Sequence, residues 1–175
     1  MTTKTSFILK PTNVIFWIIF IGLCIKTGAI LISFFVSLFI NPDGAKNLHL
    51  GLNLFDLYTF DIWHYVFVVS LIILLTGLKA YIAYLVVKIF LKFNFSNPFN
   101  VNVTSLISKI SHVALWTGIL AIIANGYSEW LIKKGISISQ NWGSGEFLFL
   151  AGIIFIIAQV FKKGIEIKTE NELTV

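Results

Sequence analysis

VIFWIIFIGLCIKTGAILISFFVSLFI, residues 14–40, is a run of 27 residues that carries one charge, Lys26. A hydrocarbon core about 30 Å thick is crossed by about 20 apolar residues in a helix. The run is long enough to span a bilayer. It is too uniformly apolar for a membrane-barrel strand of about 9–11 alternating residues. It is also longer than the roughly 7–15-residue core of a cleavable signal, so it reads as a retained first helix. In lipid the backbone N–H and C=O groups have to be paired within the protein, which predicts α-helix throughout.

Three further runs follow. Residues 62–91 contain only Lys79 and Lys88 as charges, and residues 105–132 carry Lys109 near the start and Glu129 near the end. The last, residues 146–162, has the uncharged core FLFLAGIIFIIAQVF (147–161) and reaches the minimum span only with its flanks. The expectation is an all-α membrane protein, a four-transmembrane-helix bundle forming a single domain over residues 1–175. Outer loops then occupy 41–61 and 133–145, an inner loop 92–104, and a cytoplasmic tail 163–175.

Composition agrees. The chain is 57% hydrophobic and 12% charged, against roughly 45–50% and 25% for soluble domains. Its basic residues are thirteen lysines and no arginine. Arginine is the residue suited to bidentate phosphate recognition, so direct nucleic-acid binding is not expected. The lysines instead orient the chain. With the N-terminus inside, the inner segments hold Lys4, Lys10, Lys88, Lys92, Lys109, Lys162, Lys163 and Lys168, and the outer segments hold Lys46, Lys133 and Lys134. That asymmetry predicts both termini in the cytoplasm of a bacterial inner membrane. Trp17 on the inner side and Trp63, Trp130 and Trp142 on the outer side fit interfacial anchors, whereas Trp116, in mid-span, reads as packing.

The connections are patterned. NPDG at 41–44 is a turn signal. In NLHLGLNL, 47–54, leucines alternate with other residues, and Ile136 and Ile138 alternate with Ser137 and Ser139. Period two predicts strands, hence a short antiparallel β-pair on the outer face. An amphipathic interfacial segment is the competing reading. In the inner loop Asn97-Pro98 marks a bend, and residues 102–105 offer helix caps.

Lys26 is the thirteenth residue of its 27-residue run, and Lys79 lies slightly below the centre of the second. A charge at mid-membrane costs about 2.5–3.5 kcal/mol on insertion scales. These side chains should therefore face the bundle interior or a wet cavity, with Asn125 as a neutral polar neighbour. Three outcomes are open: a neutral lysine, an anionic ligand or lipid group, or a lysine that snorkels. Asp61, His64, Glu129 and Glu146 fall near one level and form a candidate outer polar cluster for a cation or peptide, or else a solvated helix rim. His112 reads as a packed or hydrogen-bonded residue, His49 as exposed, and Cys24 as a small buried or lipid-facing residue. No Cys/His spacing suggests zinc, and no metal or cofactor is expected. None of the familiar catalytic motifs occurs. Ser105 and Lys109 stand at helical spacing, which arises readily by chance and is weak support for a Ser–Lys dyad. An enzyme is not expected.

The Asn97-Pro98-Phe99 triplet and the closing run IIFIIAQVFKKGIEIKTENELTV resemble a bacterial membrane family known as domain of unknown function 2975. The resemblance rests on Gln159, Phe161, Lys163-Gly164, Glu166 and the ending Glu170-Asn171-Glu172-Leu173-Thr174-Val175. It covers the second half of the chain best, the first half matching in hydropathy. It implies four spans with both termini inside, and a gene neighbour encoding a small helix-turn-helix regulator of the Cro/repressor type. It implies no catalytic residues. In that light Glu166, Glu170, Asn171, Leu173 and Val175 become candidates for docking a cytosolic partner or the inner loop. Two functions follow as expectations: a sensor or regulatory partner of a helix-turn-helix regulator, or a small transporter or channel for an anion or amphiphile. The second would need a homo-oligomer, since four helices leave little room for a private pathway.

Overall fold

The computed structural model describes the backbone of residues 2–93, 98–138 and 140–173, and the side chains of residues 11–93, 98–138 and 140–170. Four long helices dominate: α1 (Thr2–Phe39), α3 (Ile62–Lys92), α4 (Val101–Lys133) and α5 (Ser144–Leu173). A 3-10 turn (Pro42–Lys46) and the short α2 (Phe55–Phe60) connect α1 to α3. All four long helices have segments long and apolar enough to cross a membrane. The chain is thus a multi-pass membrane protein and an all-α four-helix bundle. At 1.5 Å per residue, helices of 30–38 residues run about 45–57 Å. They outreach the roughly 30 Å hydrocarbon core, so their ends extend into the headgroup region or beyond.

The helices pack in chain order: α1 on α3, α3 on α4, α4 on α5. The two central helices carry most of the core, while α1 and α5 present Ile18, Ile25, Ile32, Phe149, Ile156 and Val160 outward. Such faces are no liability when lipid is the solvent. Side-chain contacts fix the registers. Ser37 meets Tyr65 at 2.6 Å, and Phe20 meets Tyr84 at a ring distance of 5.5 Å, so α1 and α3 are antiparallel. Interpolating between those contacts sets Lys26 roughly level with Gly77 and Leu78. Between α4 and α5, Ser111 donates to the Ala151 carbonyl at 3.0 Å. Gly118 lies so close to Leu148 that a Cβ there would meet Leu148 Cδ2 at 2.7 Å and its backbone N at 3.1 Å.

Asparagine and aspartate side chains organise the helix starts. Asn41 Oδ1 accepts from Asp43 N at 2.9 Å, opening the 3-10 turn. Asn53 does the same for Phe55 N, and Asn100 for Asn102 N. Asp61 accepts from the backbone N of Trp63 and of His64 and caps α3. Each satisfies a donor that the first helical turn leaves without a partner. The cap of α4 is thus Asn100, just ahead of the 102–105 stretch the sequence suggests. α4 closes with Gly135 at φ +87°. Gly135 N bonds Ile132 O and Ile136 N bonds Leu131 O, a Schellman ending that folds Ile136 onto the buried Leu131.

The sequence expectations need correction at several points. No β-pair forms among the described residues. Leu50 (φ +46°) and Gly51 (φ +83°) make a left-handed reversal. Leu48 N then bonds Leu52 O, Leu52 N bonds His49 O, and Gly51 N bonds Asn47 Oδ1. These bonds close the segment on itself as a turn rather than leaving it extended beside a partner strand. Leu48 and Leu54 are buried and Leu52 partly so, while Leu50 is 90% exposed. Trp142 is no interfacial anchor, being only 4% exposed in the core, and Trp116 is no packing residue, being 62% exposed on the outward face of α4. The tail continues α5 as helix to Leu173.

Gly118→Ala tests the α4–α5 contact. Helix propensity favours alanine by about 1 kcal/mol, yet overpacking against Leu148 is expected to dominate and cost about 1–3 kcal/mol. Gly126→Ala, with nothing within 4 Å of the added methyl, should be neutral or stabilising. Unfolding in detergent micelles would compare the two.

Candidate functional site

One end of the bundle carries the 3-10 turn, α2 and the 134–143 connection, and is here called the capped end. The chain between α1 and α3 does not simply cross over it. A Cβ on Gly44 would stand 3.2–3.3 Å from the backbone and Cβ of Ser37, so the chain turns back along α1 at that point. It goes further, because Lys26 and residues 49–53 line one cavity. Lys26 lies eleven residues from Ser37, or about 16 Å deeper along a helix. Irregular backbone at such depth is tolerated where it is buried in protein or lines a wet cavity. Here Leu48 and Leu54 anchor it in the core, and Leu54 N bonds Ala45 O at 2.9 Å.

Beside the segment, α1 and α3 are tied together by a buried polar contact. Ser37 Oγ donates to Phe34 O at 2.7 Å. Its single proton being used, Tyr65 O–H donates to Ser37 Oγ at 2.6 Å. Tyr65 is fully buried and also packs against Phe34 and Tyr58.

The second connection also folds inward. Trp142 Nε1 donates to Ser128 Oγ at 2.9 Å, and both residues are buried. Asn141 Oδ1 accepts from Gly143 N, and Gly143 takes φ +67°. This turn sets Gln140, Asn141 and Trp142 beside Lys79 around a small void. Gln140 also lines the cavity of Lys26, which has a volume of about 400 Å³. The two lysines therefore border adjoining spaces that share one amide. Lys79 is on α3, whose Cα–Cβ bonds lean toward the helix N-terminus and hence the capped end. Its ammonium lies 5.0 Å over the Phe147 ring, a cation–π contact. It is within Coulombic reach of both Lys26 and Glu146. The site thus offers two ammonium groups, side-chain amides from Gln140 and Asn53, His49, and one nearby carboxylate, an arrangement suited to a small anion.

The other named residues fall elsewhere. Asn125 does not border these spaces. It donates to Glu129 Oε1 at 3.0 Å on an exposed face of α4. His64 Nδ1 bonds Tyr127 O–H at 2.6 Å. The imidazole is walled by Phe60, Tyr127 and Trp130 at ring distances of 5.9, 6.0 and 5.4 Å. Asp61 is occupied as the α3 cap. The outer polar set thus resolves into three places: Asp61 with His64, Glu129 with Asn125, and Glu146 with Gly143 and Lys79. Among the described residues no three His, Cys, Asp or Glu side chains gather as metal ligands. Gln140, Asn141, Trp142 and Phe147 were not legible as site residues. The sequence signal that points to them is the Asn-Trp-Gly turn directly ahead of α5.

At the opposite end, Phe99 from the connection before α4 rests on Gly164 of α5, so closely that a Cβ there would collide with its ring. It also packs edge-on against Phe161 at 5.6 Å. The inner connection and the tail are therefore in contact. Glu166 pairs with Lys163 at 2.9 Å, and both are exposed. Glu170 is exposed near the helix end. Asn171 and Leu173 belong to the α5 backbone, but their side chains, like Val175 and Asn97 altogether, lie outside the described residues.

No family model, curated protein or solved structure matches this chain.

Replacing Lys79 by methionine removes a half-buried charge from an apolar helix while keeping an unbranched stem. It is expected to stabilise the bundle, by up to about 2–3 kcal/mol, as measured by denaturant unfolding in micelles. A loss of stability would show instead that the ammonium holds the 140–142 turn in place.

Proposed function

We propose that this multi-pass membrane protein is a non-enzymatic sensor and the regulatory partner of a cytosolic helix-turn-helix transcription regulator. It would sit in a bacterial inner membrane with both termini in the cytoplasm. The observation that carries the reading is the continuity of α5. Its first turn holds Glu146 and Phe147 beside Lys79, and the same helix runs on to the exposed Glu166 and Glu170. From Phe147 to Glu170 is 23 residues, or about 35 Å of helix, enough to pass from one side of the hydrocarbon core to the other.

The mechanism is an exchange of anions. An anionic ligand entering the cavity of Lys26 competes with Glu146 for Lys79. Its preference for one position of the α5 first turn is then transmitted as a displacement of the whole rod. A ligand shifts such an equilibrium only by its difference in affinity between the two positions. The acidic extension of α5 gives a cytosolic partner with a basic surface something to read. The family resemblance supplies the identity of that partner class.

The same two ammonium groups favour a second reading, a small oligomeric transporter or channel for an anion or amphiphile. The outward faces of α1 and α5 would then be covered by neighbouring copies.

Co-expression with the adjacent helix-turn-helix protein separates the two. Deleting residues 170–175 should abolish co-purification, and unchanged association would refute docking through the tail. Under the transporter reading, Lys26→Leu and Lys79→Leu should each abolish anion flux in liposomes, and normal flux in both would reject it.

A further inference from the structure

At the end of the bundle opposite the cap, the first turns of α4 and the distal part of α5 border a groove of about 690 Å³. Its α4 wall is a polar stripe at helical spacing: Thr104, Ser108 and His112 stand four apart, and Ser105 and Lys109 run alongside. Lys162 faces them from α5. In a helix dominated by apolar residues, such a stripe is not required for packing.

Thr104 makes the groove more than a charged rim. Thr27, Thr59, Thr76, Thr117 and Thr169 each donate the hydroxyl to the carbonyl four residues back, at 2.7–3.1 Å. Thr104 does not. It is 4% exposed, and its Oγ1 has no hydrogen-bond partner. A buried hydroxyl without a partner is the exception in folded proteins and calls for an explanation. Thr104 lies in the first turns of α4, near the positive end of the helix dipole.

The charge balance points the same way. Glu166 also borders the groove, but its carboxylate is engaged by Lys163 at 2.9 Å. Among the described residues Lys162 has no carboxylate partner, and Lys109 faces the Tyr81 ring, 6.0 Å from its ammonium. His112 donates through Nδ1 to Ser108 O at 2.6 Å, which leaves Nε2 as its free nitrogen. The groove offers two ammonium groups and several hydroxyls with little negative charge to offset them.

We propose that this groove binds the phosphodiester headgroup of an anionic glycerophospholipid. Lys109 and Lys162 supply the counter-charge, and Thr104, Ser105 and Ser108 supply hydroxyl donors. A lipid fits better than a free anion because of where the groove lies. It is bordered by the apolar Val101 and Ile165 as well as the polar stripe. It is at the level where lysines collect at the helix ends, and along the same helix faces it is followed by the apolar Leu115 of α4 and Phe155 of α5, both exposed. The headgroup meets the lysines while the acyl chains lie along that surface, as in other basic pockets between membrane helices.

The test uses the full-length protein in mild detergent. Native mass spectrometry would follow retention of phosphatidylglycerol against phosphatidylcholine of matched chains, with inorganic phosphate as a separate arm. Phosphatidylglycerol should be retained selectively, and phosphate alone should neither bind nor compete at millimolar concentration. The double variant Lys109→Gln/Lys162→Gln should weaken retention by about tenfold or more. Lys133→Gln/Lys134→Gln, at the capped end, should leave it unchanged. Thr104→Val, nearly isosteric, should weaken retention without lowering the stability of the lipid-free protein. Equal retention of the two lipids, an unaffected lysine double variant, or phosphate binding as tight as lipid binding would overturn the proposal. Unchanged retention in Thr104→Val would remove the hydroxyl from the site.

Discussion

Two primary ammonium groups at the same depth, on helices made largely of apolar side chains, have to be given a polar environment, and the connections of this protein are folded to provide one. Lys26 and Lys79 are brought level by the antiparallel register of α1 and α3. Left between lipid-facing helices they would cost several kcal/mol. The chain after α1 turns back along that helix to bring residues 49–53 to Lys26, and the chain after α4 brings Gln140 and Asn141 to Lys79. Both segments are irregular backbone anchored in the core at a few points, Leu48 and Leu54 in the first and Trp142 in the second, while Leu50, Gly51, Asn53 and Asn141 stay exposed.

The inward folding is held by a few specific contacts. Gly44 allows close approach to Ser37. Tyr65 ties α3 to the same serine, and Trp142 ties the second connection to Ser128. Each is a buried polar contact whose loss would leave a partner unsatisfied, so each specifies position as well as adding stability. The leucines of the first connection then fill the core beneath the cap. The aromatic box around His64 closes the α3–α4 side of the same end.

The arrangement in chain order has a mechanical consequence. Among the described residues, α5 leans at the level of the backbone on α4, through Ser111 with Ala151 and Gly118 with Leu148, while Phe99 from the connection before α4 rests on Gly164. Yet its first turn touches Lys79 of α3 across that row. Toward its other end Ile154, Ala158 and Phe161 of α5 share a cluster with Val103 and Ile107 of α4 and Ile89 of α3. α5 is thus held chiefly along one flank, with side-chain packing toward α3 added at two levels.

Span number and helical state were legible in the sequence, because length and hydropathy are local and lipid permits few alternatives. The turn at 41–44 was local too. The fate of the alternating leucines was not. Leu48, Leu52 and Leu54 alternate as a strand would, yet they converge by a left-handed reversal at Leu50-Gly51, and one sequence pattern serves both geometries. Trp142 read as an interfacial tryptophan, because nothing local told that its indole N–H would find Ser128 in the core. The neighbours of Lys26 and Lys79, the separation of Asn125 from them, and the solitary hydroxyl of Thr104 were likewise decided only in the tertiary structure. They depend on which residues distant in the chain come to share one depth in the bundle, and that is set by helix register and by the path of the connections rather than by any single segment.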